Sequence, residues 1–362
     1  MKRRFIAMMV TAATALLCAD REAPAQEAGW IVAWGWNGWG QCDVPEPNQD
    51  FVAVAAGWGH SLGLKVDGSI AAWGLNEDGQ CDVPEPNEDF VGIAAGFRHS
   101  LGLKADGSIV VWGCNDAGQC DVPPPNEDFV AIEAGWDHSL GLKADGSIIA
   151  WGYNQFGQCD VPEPNEGFVA LAGGMGHSIG LTHDGWIVGW GLNDEGQCDA
   201  PPYYQGHFDA IAAGIAHSLG LTDSRHIQAW GWNGYGQCDV PLAYGNYIAL
   251  AAGWGHSLGL IEEDWIGEDW IVAWGDDTYG QSEVPPPNGD FIAVAGGGFH
   301  SLGLKRGIES CPADFDGDGD VDTADLLFLL SAWGTPDGDV DGDGDTDTAD
   351  LLALLAAWGE CP

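Results

Sequence analysis

The sequence predicts an all-β fold, a ring of seven three-stranded blades, followed by a small helical module with two acidic loops. Three observations lead there. The dipeptide Trp-Gly recurs at Trp34, Trp73, Trp112, Trp151, Trp190, Trp230 and Trp274, in steps of 39, 39, 39, 39, 40 and 44 residues. His-Ser recurs as often, at His60, His99, His138, His177, His217, His256 and His300. The two ends of the array are complementary fragments of a single unit. So regular a period means one supersecondary unit stacked on copies of itself. Residues common to every copy then serve the stacking, and function is to be sought where the copies differ.

Each unit holds three strand-like runs. In the first complete copy they are Phe51 to Ala56, Ser61 to Lys65 and Ser69 to Trp73, short and rich in β-branched or small apolar residues. Asp67-Gly68, Asp106-Gly107, Asp145-Gly146 and Asp184-Gly185 mark hairpins that need positive φ. Pro-rich stretches such as Val83 to Asn87 link one unit to the next. Nothing in the array has helical periodicity. Tandem three-stranded units bury their faces by radial packing, which predicts a β-propeller. The chain enters with Trp30 to Trp34, a third strand lacking the first two, and leaves with Phe291 to Ala295 and Ser301 to Lys305, which lack the third. The N-terminal strand therefore closes the last blade, and six whole units plus this composite make seven.

The run from Ala55 to Cys81, AAGWGHSLGLKVDGSIAAWGLNEDGQC, resembles the repeat of the regulator of chromosome condensation family. Its compact period is similar to that of bacterial members, including the propeller-type β-lactamase inhibitory proteins. The resemblance spans residues 29–305 and implies a seven-bladed propeller used as an interaction scaffold, not an enzyme, with the partner left open.

The bulk composition narrows the partners. The chain has 11 Lys and Arg against 55 Asp and Glu, a net charge of −44. Such a surface repels phosphate backbones and anionic lipid, so nucleic acid is a poor partner. Residues 1–25 read as a secretory signal: Lys2-Arg3-Arg4, an apolar run from Phe5 to Ala19, and Ala23-Pro24-Ala25 as cleavage site. A lipid anchor at Cys18 fits less well, because bulky Leu17 precedes it. Export with no membrane span is the expectation.

Beyond a linker at 306–310, residues 311–362 change character, to Asp, Gly and Leu without Lys or Arg. Asp314, Asp316, Asp318, Asp320, Asp322 and Asp325 fall at loop positions 1, 3, 5, 7, 9 and 12, with Gly319 at 6. The pattern returns 25 residues later as Asp339, Asp341, Asp343, Asp345, Asp347 and Asp350. Alternating hard oxygens around a sharp Gly bend are what Ca²⁺ coordination needs, so two Ca²⁺ ions are expected. Each loop runs into an amphipathic helix, with Leu326, Leu329, Leu330 and Trp333 on one face and Leu351, Leu354, Leu355 and Trp358 on its counterpart. A solvated acidic tail, the plain alternative, would lack paired Leu faces.

The module resembles a type I dockerin over 313–359. That resemblance implies a cohesin-like receptor, backbone ligation at Asp320 and Asp345, and recognition hydroxyls at Thr323 and Thr348; Ala324 and Ala349 stand where a second hydroxyl is common. It also implies that the module's ends meet. A Cys311–Cys361 bridge closing a loop of about 50 residues would then contribute about 4 kcal/mol. Clustered carboxylates repel one another without metal, so folding of the module should depend on Ca²⁺.

Several recurring signals belong to the repeat. Gly59 to Gly63 spells G-x-S-x-G, but the Ser opens a strand instead of a strand-to-helix elbow. The seven His residues read as turn-stabilising hydrogen-bonding groups, not a metal ring. The Trp of each Trp-Gly tag reads as blade packing and the Asn after it as turn chemistry. Cys42, Cys81, Cys120, Cys159, Cys198 and Cys238, with Ser282 in the last copy, read as small buried fillers.

The copies differ in two loops that should share one rim. The candidate binding residues there are Trp36, Trp39, Trp58, Phe97, Arg98, Trp136, Tyr153, Phe156, Trp232, Tyr235, Trp254 and Tyr279. Two readings stand: a recognition surface for protein or carbohydrate, or rings tucked between blades. Glu133 replaces an Ala of the other copies, and a buried acid wants a partner, so an Arg98–Glu133 pair is expected. Taken together, the sequence predicts an exported, non-catalytic binding protein tethered by a Ca²⁺-dependent module. The alternatives are a polysaccharide-degrading component, which needs two converging carboxylates, and an inhibitor of a secreted enzyme.

Overall fold

In the computed structural model the repeat becomes a series of antiparallel meanders. The structure describes residues 28–201, 207–242, 246–262, 269–307, 315, 320–321, 323–335, 346–356 and 358–360. The signal segment 1–25, Cys311, Cys361 and the loop acids Asp314, Asp316, Asp318, Asp322, Asp339, Asp341, Asp343 and Asp345 lie outside the described residues. The chain divides into two units, one ending at Arg306 and the other beginning at Gly307.

Among the described residues of the first unit, twenty-one strands form five three-stranded meanders and one six-stranded sheet, in which two meanders adjoin through Gly29 and Phe51. The first complete one has an inner strand Phe51–Ala56, a middle strand His60–Lys65 and an outer strand Ile70–Gly74. Leu62 registers with Ala55 on one side and Ala72 on the other. Gly68, at φ 79°, makes the turn between middle and outer strands, and Asp67 secures it by accepting the Ser69 N–H and O–H at 2.9 and 2.6 Å. The last meander is the composite one. Gly29–Gly35 pairs along its whole length with His300–Arg306, whose other edge carries Phe291–Gly296.

The faces of these sheets carry the core. Leu62, Leu101, Leu140, Ile179, Leu219, Leu258 and Leu302 occupy one register position and are wholly buried. The Phe51 ring packs against Gly63, where a Cβ would come within 2.5 Å of it; the repeat places a Gly against each such ring because a side chain would displace it.

Three hydrogen-bonded circuits join each blade to the next, and each returns to its start. The indole N–H of Trp73 donates to the Gln41 carbonyl of the preceding copy at 2.9 Å, and Trp34 does the same to Gln281. His60 Nε2 meets Ser100 Oγ of the next copy at 2.9 Å, and the series ends with His300 on Ser61, also at 2.9 Å. Backbone bonds from Trp58 N–H to Gly96 O, round to Gly298 N–H on Gly57 O, form the third. Because the Ser100 hydroxyl donates to Gln80 O at 2.8 Å, the network assigns the proton of His60 to Nε2.

Two expectations are corrected here. The histidines do not stabilise turns; they latch neighbouring blades. Their rings are fully buried, and burial pushes His60 down from 6.5 to about 4 and His99 to about 3. The cysteines are half-buried donors, not buried fillers. Cys42 Sγ donates to Trp36 O at 3.5 Å, and burial, then the Asp43 carboxylate, pushes the thiol up to about 12. Ser282 donates its hydroxyl to Asp276 O in the same way, which accounts for the exception in the last copy.

In the second unit, helices Thr323–Ser331 and Thr348–Ala356 bury Leu329 and Leu354 beside Val321. Asp320–Val321 pairs antiparallel with Gly359–Glu360. The expected apolar faces are narrower than the sequence suggests. Leu330 and Leu355 are exposed to one side of the buried Leu329 and Leu354, and Trp333 and Trp358 are exposed beyond the helix ends at Ser331 and Ala356.

Candidate functional site

The inner strands run along the axis of the first unit, and their ends enter the first variable loops. Together they line a cavity of about 160 Å³, from Val54–Trp58 round to Ala295–Gly298. Its wall is mostly Ala and Gly, small residues that let seven strands converge. Glu133 stands where the other copies have Ala and is the sole ionisable side chain in the lining. Removal from water pushes its carboxyl up to about 8, opposed by the Ala134 backbone N–H.

At one mouth the structure brings most of the predicted aromatics together. Trp36 and Trp39 meet at 4.2 Å between ring centroids, Trp39 and Trp58 at 4.6 Å, and Trp58 and Phe97 at 4.8 Å. Phe97 stacks on Trp136 at 4.1 Å, and Trp136 reaches Trp254, three copies away, at 5.2 Å. The rings therefore extend across the axis. Tyr279 lies 6.0 Å from Trp36 at the edge of this cluster. Tyr153 with Phe156, at 6.0 Å, and Trp232 with Tyr235, at 5.1 Å, form separate outlying pairs. The central rings are half-buried against one another, while Phe156, Tyr235 and Tyr279 are exposed.

Sequence reasoning missed Phe299, which stacks on Trp254 at 5.2 Å and touches Tyr279 at 5.3 Å. The signal was present. Where two other copies read Trp-Gly-His, at Trp58 and Trp254, the last reads Gly298-Phe299-His300. The transposition moves the ring one residue along and leaves Gly298 beside Trp58, where a Cβ would come within 2.6 Å of the indole.

The expected Arg98–Glu133 pair does not form. Arg98 Nη1 instead binds Asp78 Oδ2 at 3.0 Å, and the guanidinium lies 5.4 Å from the Phe97 ring. The reason is level. Arg98 sits in the loop beyond its inner strand, and its equivalent in the next copy is Asp137, four residues past Glu133. Burial raises the Asp137 carboxyl and Arg98 draws it back down.

In the second unit, Asp325 and Asp350 are wholly buried at the twelfth loop positions. Asp325 Oδ1 accepts the Phe315 N–H at 2.6 Å, and Asp350 Oδ2 accepts the Asp347 N–H at 2.7 Å. Asp347 Oδ1 accepts the Ala349 N–H. Two equivalent buried carboxylates of this kind are hard oxygen donors of the type Ca²⁺ takes.

Comparison with known proteins bears on the first unit. Residues 51–80, 90–119, 129–158 and 208–237 match the regulator of chromosome condensation (RCC1) repeat. The structure is similar to that of Prp20p from Saccharomyces cerevisiae, described with its binding to Gsp1p and histones: 19% identity, 79% of this chain and 93% of that one covered, TM-score 0.64. Human WBSCR16 is similar at 18% identity over 77% of this chain and 99% of that one, TM-score 0.61. The receptor kinase CR4 ectodomain from Physcomitrella patens shares 24% identity over 70% of each chain, TM-score 0.58. No curated protein matches. At these identities the likeness is one of fold. The chain carries RCC1 repeats arranged as three-stranded blades of an RCC1-like propeller.

Proposed function

We propose that this chain is an exported, non-catalytic binding protein, a closed seven-bladed propeller whose aromatic mouth recognises a protein or glycan. The observation that carries this reading is the continuous ring cluster from Trp36 to Trp254, half-buried and built only from positions where the copies differ. Large rings with part of each face outward are the residues that dominate recognition surfaces. A lone acid in the channel does not supply the carboxylate pair that glycoside hydrolysis needs.

The second unit is proposed as the tether, a dockerin-like module docking on a cohesin-like or surface receptor when Ca²⁺ is bound. Asp325 and Asp350, buried at equivalent positions, support it. The remaining loop acids would complete two oxygen shells, and Ca²⁺ would supply the charge that lets those acids sit together. Among the described residues no helix is long and apolar enough to cross a membrane.

A glycan array and a capture experiment from secreted protein, each with and without EDTA, test the two halves. Sugar or partner capture lost on Trp58→Ala, Trp136→Ala and Trp254→Ala, but kept in EDTA, assigns it to the mouth. Capture lost only in EDTA assigns it to the module. Turnover of a polysaccharide by the purified chain overturns the non-catalytic reading.

A further inference from the structure

The axial cavity carries a feature that neither the repeat nor the rim reading uses. Six copies place Ala at the level of Glu133, so the repeat itself does not require an acid. A partly buried carboxyl standing alone among alanines and glycines, with no basic side chain in the lining, invites a cationic partner. The lining holds no other ionisable group. Outward of it, Arg98 is already engaged by Asp78 and faces Asp137. On the elements packed against its strand, His99, His138 and His177 are buried and neutral. Phe97, Trp136 and Trp254 also line this cavity, and aromatic rings attract cations.

We propose that the axial channel is a binding site for a small alkylammonium ion, whose charge pairs with the Glu133 carboxylate while its alkyl part lies among the alanines and aromatic rings. An ammonium group fits where an anion does not, because Glu133 is the ionisable group of the lining and the chain is strongly acidic. A cavity of about 160 Å³ takes a short alkyl chain, not a folded segment. Binding is coupled to a proton: the ion favours the ionised carboxylate, and the proton that Glu133 carries when empty leaves to buffer. The site goes beyond the rim reading, since a small ion reports the channel whatever macromolecule the rim engages.

The test uses the full chain and n-butylammonium, titrated by calorimetry from pH 6 to 9.5 and, at pH 7, in two buffers of different ionisation enthalpy. Expected are an affinity that rises with pH, about tenfold per unit while the carboxyl is still protonated and level once it is ionised, and nearly one proton released per ion at pH 7. Glu133→Gln should remove the pH dependence and the proton release and weaken binding at pH 9 at least about tenfold. Glu133→Ala, which restores the residue of the other copies, should behave likewise with an unchanged melting curve. Absence of binding to the unsubstituted chain, equal binding by Glu133→Gln, or an affinity that falls as pH rises would each overturn the proposal.

Discussion

At every seam between blades the same groups recur, the side chains of a His, a Ser and a Trp and the backbone carbonyl of a Gln, whereas the residues at the mouth differ in size and shape. Trp58, Phe97, Trp136, Met175, Ile215, Trp254 and Gly298 occupy one position of the repeat and one ring in space. Geometry explains the contrast. Each seam must satisfy identical buried polar groups, so one solution is repeated. The mouth has no buried polar group common to every copy to satisfy, so its residues are free to differ. Uniformity thus marks what holds the blades together, and variety marks the surface proposed to meet a ligand.

Acid should break the seams first. The unfolded imidazoles take up protons near pH 6.5, while the folded ones resist to about 3 or 4. The unfolded chain therefore binds more protons throughout that window. The stability from burying neutral rings is complete above pH 6.5 and lost as pH falls. With seven sites the slope approaches the order of 10 kcal/mol per pH unit. Urea unfolding from pH 7.5 to 4.5 in 1 M salt, where carboxylate repulsion is screened, should show a steep fall. A flat profile would mean that the rings titrate normally.

One seam bond should matter less than the whole belt yet more than any single ring at the mouth. Ser178→Ala leaves His138 Nε2 without an acceptor, and an unsatisfied buried group costs about 1–3 kcal/mol. The same measurement on Tyr279→Ala, exposed at the rim, should shift stability by under about 0.5 kcal/mol. Equal losses would erase the distinction between seam and mouth. Smallest of all, Cys120→Ser should be nearly neutral, because Ser282 already shows a hydroxyl making that contact. A loss above about 1 kcal/mol in a denaturation curve would show that the thiol does more than donate.

Much of the repeat was legible because period and turn chemistry are local. The strand runs, the Asp-Gly hairpins and the complementary ends could be read from Trp30–Trp34 and Phe291–Lys305 alone. The role of His60 was not, since its partner Ser100 lies 40 residues away and belongs to the next copy's own His-Ser tag. Arg98 was mispaired for a related reason. Reading copies side by side shows that Glu133 and Arg98 are both exceptions, but not that they stand at different levels along the axis. Phe299 escaped because aligning copies by residue type hides a one-residue transposition.

The contrast between seam and mouth comes down to one quantity, the dissociation constant of the captured protein or glycan for the chain carrying Trp58→Ala, Trp136→Ala and Trp254→Ala together. With the seams intact, the variant should keep its fold by circular dichroism and lose affinity at least about a hundredfold. Unchanged affinity in a folded variant would contradict the assignment of the variable aromatic mouth as the recognition surface.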